Sequence, residues 1–317
     1  MSAIPETSTA NPFVHPALFY ADDAEYLGVL VPFVTDGLAL GHPVAAALPP
    51  DRLRLLRAAL GDAARRVELI DMAVAGGNPG RIIPSVLLRF ADAHRDRHVR
   101  IIGEPIWPGR TATEYPACAQ HEALINHAFA GRDVSIVCPY DTSGLDPFAV
   151  ADARATHPVV WEVDRRYPSA AYAPDDVIDR YNQPLPDAPG AAEFPVATTA
   201  DIRPARHWAA ERARLLGLGA DRLADLELIA TELLTNSLRH TPGGCRVRIW
   251  RDAGHVVCEV RDTGHLTDPL AGRRPRPRDL PNGRGLLLVH EFSDLVRTHT
   301  TRHGTTQYAL LRTAPGR

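Results

Sequence analysis

Three polar side chains, Glu232, Asn236 and His240, recur four residues apart in the segment ATELLTNSLRH. That spacing places them on one face of a helix, beside an apolar stripe. An amide oxygen can bind the hard cation Mg²⁺, and a carboxylate one turn away can orient or deprotonate an attacking hydroxyl group. An ordinary amphipathic helix with polar residues beside its apolar face has the same spacing, so this cluster alone leaves both interpretations open.

A carboxylate and a glycine, Asp262 and Gly264, stand at the end of an apolar run in the segment VRDTG. A carboxylate in a tight turn at a strand end can accept hydrogen bonds from an exocyclic amine in a pocket. A β-turn aspartate gives the same pattern. The chemistry of an amine acceptor is therefore a hypothesis that needs support from the rest of the chain.

Two glycines come directly before an apolar helical segment in GRGLLLV: Gly283 and Gly285 flank Arg284, and Leu286 follows. This arrangement lets a phosphate approach the helix N-terminus, where free N–H groups favour anions. Arg284 can add a forked hydrogen bond to the phosphates. An ordinary glycine-rich connection is the alternative. A fourth and weaker signal is Thr305, in the Gly-Thr-Thr sequence that opens the last predicted strand.

Composition restricts the chemistry further, because all 35 basic residues are arginine and the 317-residue chain contains no lysine. This excludes a phosphate loop of the G-x-x-x-x-G-K-[ST] type, a lysine Schiff base and a V-A-I-K kinase. The net charge of −3 argues against DNA as a direct partner. The four cysteines show no C-x-x-C spacing, and we see no signal peptide or membrane span, so we expect a cytoplasmic protein.

The catalytic candidates all lie in a predicted C-terminal domain, residues 200–313. Its helices and strands are predicted in the order α-α-β-β-α-β-β, at Ile202–Leu216, Ala220–His240, Cys245–Trp250, Val256–Val260, Arg284–Phe292, Leu295–His299 and Thr305–Leu311. This order predicts an α+β domain with helices on one face of a mixed sheet. Residues 266–282, rich in arginine and proline, are predicted to form a loop.

The N-terminal region alternates between strand-like and helix-like segments from residue 13 to residue 165. Four β-branched runs predict strands buried on both faces of a parallel sheet, Val44–Leu48, Val67–Ile70, Val99–Ile102 and Val134–Val137. The helices predicted between them are Ala24–Leu40, Asp51–Leu60, Pro84–Arg95 and Pro116–Ala130. This predicts an open, doubly wound α/β domain. Residues 166–199, rich in proline, are predicted to be a linker.

Taken together and in order, the four C-terminal clusters resemble the GHKL ATP-binding fold of gyrase, Hsp90, histidine kinases and MutL. Within that fold, ATELLTNSLRH, VRDTG and GRGLLLV look most like the anti-sigma-factor serine kinases of bacteria. The resemblance implies that the domain binds ATP with Mg²⁺ and needs no phosphate-loop lysine.

The GHKL resemblance also implies a role for each candidate residue. Asn236 would bind Mg²⁺, Glu232 would be the catalytic base, and Asp262 would accept the adenine amine. Gly264, Gly283 and Gly285 would shape the nucleotide pocket and its lid. Four more residues join the predicted cofactor-binding set: His240, Arg284, Leu286 and Thr305.

Three features depart from the GHKL pattern. The sequence after Gly264 lacks the second glycine or proline that often follows, and the predicted lid at 266–282 is rich in arginine and proline. Either departure puts nucleotide exchange or turnover in doubt. No phosphoacceptor helix of the H-E-x-x-x-P kind precedes the domain, so a histidine kinase is the less favoured branch. A nucleotide-binding switch that holds a partner without transferring phosphate remains the alternative.

The N-terminal segments HPALFYADDAEYLGVLVPFVTDGLALGHPV, IIGEPIWP, HEALINHAF, VCPYD and ATHPVVWE resemble the MEDS sensory domain. This resemblance implies a RecA-like sheet without a working phosphate loop, since Pro49, Pro50 and Asp51 follow the first predicted strand. The domain would sense an unknown small ligand. Together, the MEDS and GHKL resemblances imply a signalling regulator. The partner that they imply is a STAS-type anti-sigma-factor antagonist, a sigma factor, or both, and they also imply a possible homodimer.

Four N-terminal residues have side chains that suit zinc or a redox metal, His15, His121, Cys138 and His157. Their spacing matches no zinc pattern. We therefore expect histidines that cap helices or hydrogen-bond to the backbone, and a cysteine that acts as a small buried apolar residue.

Overall fold

The computed structural model describes residues 12–275 and 283–313. The chain divides into two compact units. The first contains the described residues up to 77 together with 82–181, and the second contains 78–81 together with the described residues from 182 onward. No described helix is both long and apolar enough to cross a membrane.

Seven strands form the sheet of the first unit: β1 (Pro16–Tyr20), β2 (Val44–Leu48), β3 (Val67–Asp71), β4 (Val99–Gly103), β5 (Val134–Asp141), β6 (Val159–Trp161) and β7 (Arg166–Pro168). Their order is β3-β2-β4-β5-β1-β6-β7. Only the last pair, β6 and β7, is antiparallel. Every residue of β1 and β2 is buried, as expected for strands covered on both faces. The predicted α/β class and its parallel-rich sheet are confirmed.

The described part of the first unit contains seven α-helices: α1 (Asp23–Ala39), α2 (Pro50–Leu60), α3 (Met72–Ala75), α4 (Leu88–Asp92), α5 (Tyr115–Phe129), α6 (Pro147–Thr156) and α7 (Pro174–Arg180). Helix α1 begins after Asp22, whose carboxylate accepts a hydrogen bond from the N–H of Glu25. The helix predicted at 84–95 is instead a π-helical turn, Ile82–Leu87, that continues into α4. Pro84 lies in that turn and removes one backbone donor from the helical ladder.

Five strands form the sheet of the second unit: β8 (Ala192–Val196), β9 (Cys245–Asp252), β10 (His255–Asp262), β11 (Leu295–Thr301) and β12 (Gly304–Arg312). Their order is β11-β12-β10-β9-β8. All four pairs are antiparallel, so the predicted mixed sheet is wrong. The reason is that β9–β10 and β11–β12 are both hairpins, and β12 returns beside β10 in the opposite direction.

Three helices pack against this antiparallel sheet: α8 (Ile202–Leu215), α9 (Ala220–His240) and α10 (Gly285–Phe292). Leu226, Ile229 and Leu233 of α9 share one apolar core with β9, β10 and β12. Helical spacing puts these side chains on one face, so the polar residues of α9 are left at the edge of the core. The sheet therefore holds the helix that carries the candidate catalytic pair.

Residues 78–81 belong to the second unit although they come early in the chain. The side-chain amide of Asn78 donates to the backbone oxygens of His290, at 2.8 Å, and Ser293, at 3.3 Å. The last carbonyl groups of a helix have no partner within the helix. Asn78 therefore closes the C-terminal end of α10.

Candidate functional site

Helix α9 brings Glu232 and Asn236 together at the edge of the second unit's core. Both side chains are half-buried, and their neighbours Leu233 and Leu234 are fully packed. Among the described residues, neither the Glu232 carboxylate nor the Asn236 amide has a hydrogen-bond partner. A carboxylate and an amide one helical turn apart are thus available to a ligand, which fits a metal-binding oxygen next to a base.

The Glu232 carboxylate lies against the first residue of α10. A Cβ atom at Gly285 would come within 2.5 Å of Glu232 Oε2, so only glycine allows this approach without displacing the carboxylate. The first N–H groups of a helix have no intrahelical partner and carry the positive end of the helix dipole. The start of α10 therefore offers anion-binding groups next to the candidate base.

The carboxylate of Asp262 is fixed at the end of β10 by two donors. The hydroxyl of Ser237 donates to Oδ2 at 2.6 Å, and the backbone N–H of Gly264 donates to Oδ1 at 2.8 Å. A carboxylate has about four acceptor positions, so capacity remains for an incoming amine. This oriented acceptor fits the adenine-binding role that the sequence predicts.

The loop after Asp262 is held in place by Thr305 and Thr241. The hydroxyl of Thr305 donates to the backbone oxygen of Gly264 at 2.8 Å and accepts from the N–H of Leu266 at 3.2 Å. A Cβ atom at Gly264 would lie only 2.1 Å from Thr241 Cγ2. Thr305, which the sequence predicts to be a cofactor-binding residue, thus forms hydrogen bonds to the loop that follows Asp262.

The remaining predicted residues of the site differ in how far their side chains are buried. His240 is the exposed last residue of α9, and Arg284 is exposed at the residue before α10. Leu286 is half-buried and packs on the apolar core. Gly283 has a φ of 93°, which favours glycine.

The loop predicted at residues 266–282 lies within the described residues only as far as residue 275, so residues 276–282 fall outside them.

Two residues near the candidate site were not predicted from the sequence, Ser237 and Thr241. Ser237 lies four residues after Leu233 on the buried and otherwise apolar face of α9, and a hydroxyl at that helical spacing is the signal that could have identified it. Cys245 lies opposite Asp262 in the β9–β10 register. Burial, and after it the Asp262 carboxylate, raises the pKa of Cys245 to about 11, so this thiol stays protonated at neutral pH.

A second polar cluster lies in the first unit, around Glu104 just after β4. The hydroxyls of Tyr20 and Tyr26 each donate to its carboxylate at 3.3 Å. The guanidinium of Arg52 lies 5.0 Å from the centroids of both rings. Burial raises the pKa of Glu104 to about 8 despite the opposing effect of Arg52. In open α/β sheets, ligands bind beyond the carboxyl ends of the strands, where this cluster lies.

The structure brings together three of the four N-terminal residues whose side chains suit zinc or a redox metal. His15, Cys138 and His157 converge with Glu122 of α5. His121 is buried but is not one of the converging ligands.

The chain thus contains an α/β unit with a parallel-rich sheet and an α+β unit with an antiparallel sheet, and the α+β unit carries the candidate site. The family model "MEDS: MEthanogen/methylotroph, DcmR Sensory domain" matches residues 14–158. The model of the histidine kinase-like ATPase domain matches residues 196–308. The chain thus carries a MEDS sensory domain fused to a histidine kinase-like ATPase domain.

Similarity to solved structures is distant. The RsbU and RsbW domains of a Mycobacterium tuberculosis protein are 20% identical with a TM-score of 0.31, over 42% of this chain and 34% of that one. The SiaB–SiaC complex from Pseudomonas aeruginosa is 15% identical with a TM-score of 0.30, over 38% of this chain and 88% of that one. This chain thus spans about a third of the Mycobacterium chain. The comparison with curated proteins finds no match.

Proposed function

We propose that the second unit binds ATP with Mg²⁺ and transfers the γ-phosphoryl group to a serine of a partner protein, under the control of the sensory unit. The observation that carries this proposal is the pair Glu232 and Asn236. Both are half-buried, neither has a hydrogen-bond partner among the described residues, and Glu232 lies against the start of α10.

Each residue of the site has a distinct role in this proposal. ATP would supply the phosphoryl group, and Mg²⁺ would neutralise its charge. The amide oxygen of Asn236 would hold the metal, and the fixed carboxylate of Asp262 would accept a hydrogen bond from the exocyclic amine. Glu232 would orient the serine hydroxyl and accept its proton as the serine oxygen attacks the γ-phosphorus, the bond to the β,γ-bridging oxygen breaks and ADP leaves. Positioning and charge account for most of the rate in this class of reaction.

The proposed partner is a STAS-type anti-sigma-factor antagonist, a sigma factor, or both. Support comes from the resemblance of ATELLTNSLRH, VRDTG and GRGLLLV to anti-sigma-factor serine kinases. The sensory unit, residues 13–165, is proposed to be a RecA-like domain that has lost its phosphate loop, since β2 is followed by Pro49, Pro50 and Asp51. We propose that it binds a small ligand and that the chain forms a homodimer.

The test is transfer of labelled γ-phosphate from ATP to a candidate antagonist, with a variant of the antagonist that lacks its serine as a control. We expect wild-type protein to label only the antagonist that has the serine. Glu232→Gln should abolish transfer and leave the affinity for Mg-ADP unchanged. Glu227→Gln, a carboxylate on the same helix outside the site, should retain both properties.

Other outcomes would replace the kinase proposal. Nucleotide binding without transfer to any antagonist would favour a non-catalytic switch that holds a partner. Acid-labile phosphohistidine on the chain itself would favour a histidine kinase. Full activity of Glu232→Gln would exclude Glu232 as the base.

A further inference from the structure

Four residues that are far apart in sequence converge inside the first unit. His15 directly precedes β1, Cys138 lies in β5, and His157 follows α6 just before β6. Strand β1 pairs with β5 on one side and β6 on the other, so these three residues lie in, or directly before, adjacent strands. Glu122 comes from the middle of α5. No short sequence motif could show this convergence.

The spacing of the four ligand atoms matches a single bound ion. His15 Nε2 lies 3.5 Å from Cys138 Sγ and 3.6 Å from Glu122 Oε2, and His157 Nε2 lies 3.1 Å from that same oxygen. One ligand atom from each residue lies within 4.8 Å of all the others. Bonds of about 2.0–2.3 Å to a tetrahedral zinc ion place ligand atoms roughly 3.3–3.8 Å apart.

Hydrogen bonds orient both imidazole rings toward the centre of the cluster. His157 Nδ1 lies 2.8 Å from the backbone oxygen of Ala153, which can only accept, so Nδ1 carries the hydrogen. His15 Nδ1 lies 3.0 Å from the side-chain oxygen of Asn126, whose amide group donates to the Thr156 backbone oxygen at 2.8 Å. In both rings the Nε2 lone pair is left to face inward. Metal-binding histidines are held by outer hydrogen bonds of this kind.

The polar atoms at the centre of the cluster lack hydrogen bonds within the described part of the chain. Both oxygens of Glu122 and Nε2 of His157 are buried without a hydrogen-bond partner there. Two such atoms that nevertheless lie 3.1 Å apart are arranged as two ligands of one ion. Burying an uncompensated carboxylate is costly. A divalent cation bound by one carboxylate, one thiolate and two neutral imidazoles gives a net charge of zero.

We propose that His15, Glu122, Cys138 and His157 bind one Zn²⁺ ion in a closed tetrahedral site in the sensory unit. Two imidazoles and a thiolate favour zinc over Mg²⁺ or Ca²⁺, which prefer oxygen ligands. Four protein ligands leave no open position, which is typical of a structural site. The proposal reverses the expectation, drawn from sequence spacing, that these histidines and this cysteine only support the fold.

The test measures metal content and coordination of the full-length chain purified without chelators. We expect about one zinc per chain, and none after dialysis against a strong chelator. X-ray absorption at the zinc edge should show nitrogen or oxygen neighbours at about 2.0–2.1 Å and one sulfur at about 2.3 Å. Co²⁺ added to the stripped protein should produce a thiolate-to-metal charge-transfer absorption.

Variants of the ligands provide an independent readout. Cys138→Ser should remove the charge-transfer absorption, and His157→Gln should lower the zinc content. Two matched controls should retain both signals: Cys258→Ala, a buried cysteine of the second unit, and His127→Asn, an exposed histidine of α5.

If a ligand variant does not fold, the absorption spectrum of wild-type zinc protein decides the question, because it reports sulfur and nitrogen neighbours without any substitution. The proposal is overturned if wild-type protein binds less than about a tenth of an equivalent of Zn²⁺. It is equally overturned if bound zinc has no sulfur neighbour, or if Cys138→Ser folds and retains the Co²⁺ charge-transfer absorption.

Discussion

At the scale of single residues, the candidate site depends on side chains whose polar atoms are held ready for a ligand. Asp262 is oriented by Ser237 and by the N–H of Gly264. Glu232 and Asn236 have no hydrogen-bond partner among the described residues. Asp262 thus provides a fixed hydrogen-bond acceptor. Asn236 provides an amide oxygen that a metal can bind, and Glu232 provides a carboxylate that a hydroxyl can contact.

Glu104 gives a prediction about pH and stability. Because burial raises its pKa from 4.5 to about 8, the folded chain keeps a proton between those pH values that the unfolded chain has lost. This group's contribution to stability is therefore fully present below the unfolded pKa and falls as pH rises toward about 8. We expect Glu104→Gln to reduce the loss of stability between pH 5 and pH 8 in urea unfolding.

The control for this prediction is Glu211→Gln, which changes an exposed carboxylate on α8. It should lose stability with rising pH as steeply as wild type does. Equal slopes for wild type and Glu104→Gln would show that Glu104 does not hold a proton in the folded chain.

Ser237 acts through Asp262, which makes it a positioning residue with its own prediction. Ser237→Ala removes one of the two donors to the Asp262 carboxylate but leaves that carboxylate in place. We expect Mg-ADP affinity to fall by roughly a factor of 3–10, the cost of one hydrogen bond. Ser237→Thr, which keeps a hydroxyl, should retain most of the affinity in calorimetric titration. Unchanged affinity in Ser237→Ala would contradict this role.

At the scale of elements, the sequence predicts the strands and helices with strong apolar patterns and misses the short ones. Strands β2 to β5 begin at the predicted residues because each is a short apolar run that starts at a buried valine. Strand β8 was not predicted because Pro195 lies within it. As an edge strand, β8 tolerates a residue that cannot donate a hydrogen bond. Strand β6 has only three residues, too few for a periodic signal.

The candidate site could be predicted from sequence only where its residues share one element or follow a familiar order. The spacing of Glu232 and Asn236 on one helix face is visible in the sequence. The bond between Ser237 and Asp262 joins a helix to a strand, and the meeting of Glu122 with His15 joins a helix to the start of β1. Pairings of that kind depend on the packed fold.

Helix α10 gives a prediction at the element scale because it starts at Gly285, against Glu232. Gly285→Ala would place a methyl group 2.5 Å from Glu232 Oε2 and move the flexible carboxylate. The protein should still fold, and phosphoryl transfer should fall by roughly ten- to a hundredfold because positioning is lost. Gly190→Ala, where a Cβ meets nothing within 4 Å, should transfer phosphate as wild type does. Unchanged transfer in Gly285→Ala would show that this contact is not part of the catalytic geometry.

The β9–β10 hairpin gives a second prediction at this scale. Its two turn residues, Ala253 and Gly254, both have positive φ, 42° and 82°. This is the turn that favours Asn-Gly, and alanine is strained in it. Ala253→Asn should raise stability by about 0.5–1 kcal/mol, visible as a higher Tm. Gly254→Ala should lower the Tm. A higher Tm for Gly254→Ala than for Ala253→Asn would contradict the assignment of the turn.

At the scale of the whole molecule, the chain joins a sensory domain to an ATPase-type domain, and the described residues of the ATPase-type domain hold the candidate nucleotide site. The first unit has a parallel-rich sheet, but β2 leads into Pro49, Pro50 and Asp51, with neither the glycines nor the lysine of a phosphate loop. In the proposed function the second unit would need no such lysine, because its candidate site would use a carboxylate, an amide and the start of a helix. We therefore expect one nucleotide per chain.

The central claim is that Asp262 anchors an adenine nucleotide in the second unit, and calorimetric titration of the full-length chain with Mg-ADP tests it most directly. We predict about one nucleotide bound per chain and at least a roughly tenfold loss of affinity in Asp262→Asn. Asp252→Asn, at the opposite end of the same hairpin, should bind as wild type does. Absence of binding to wild type, or equal affinity of wild type and Asp262→Asn, would contradict the claim.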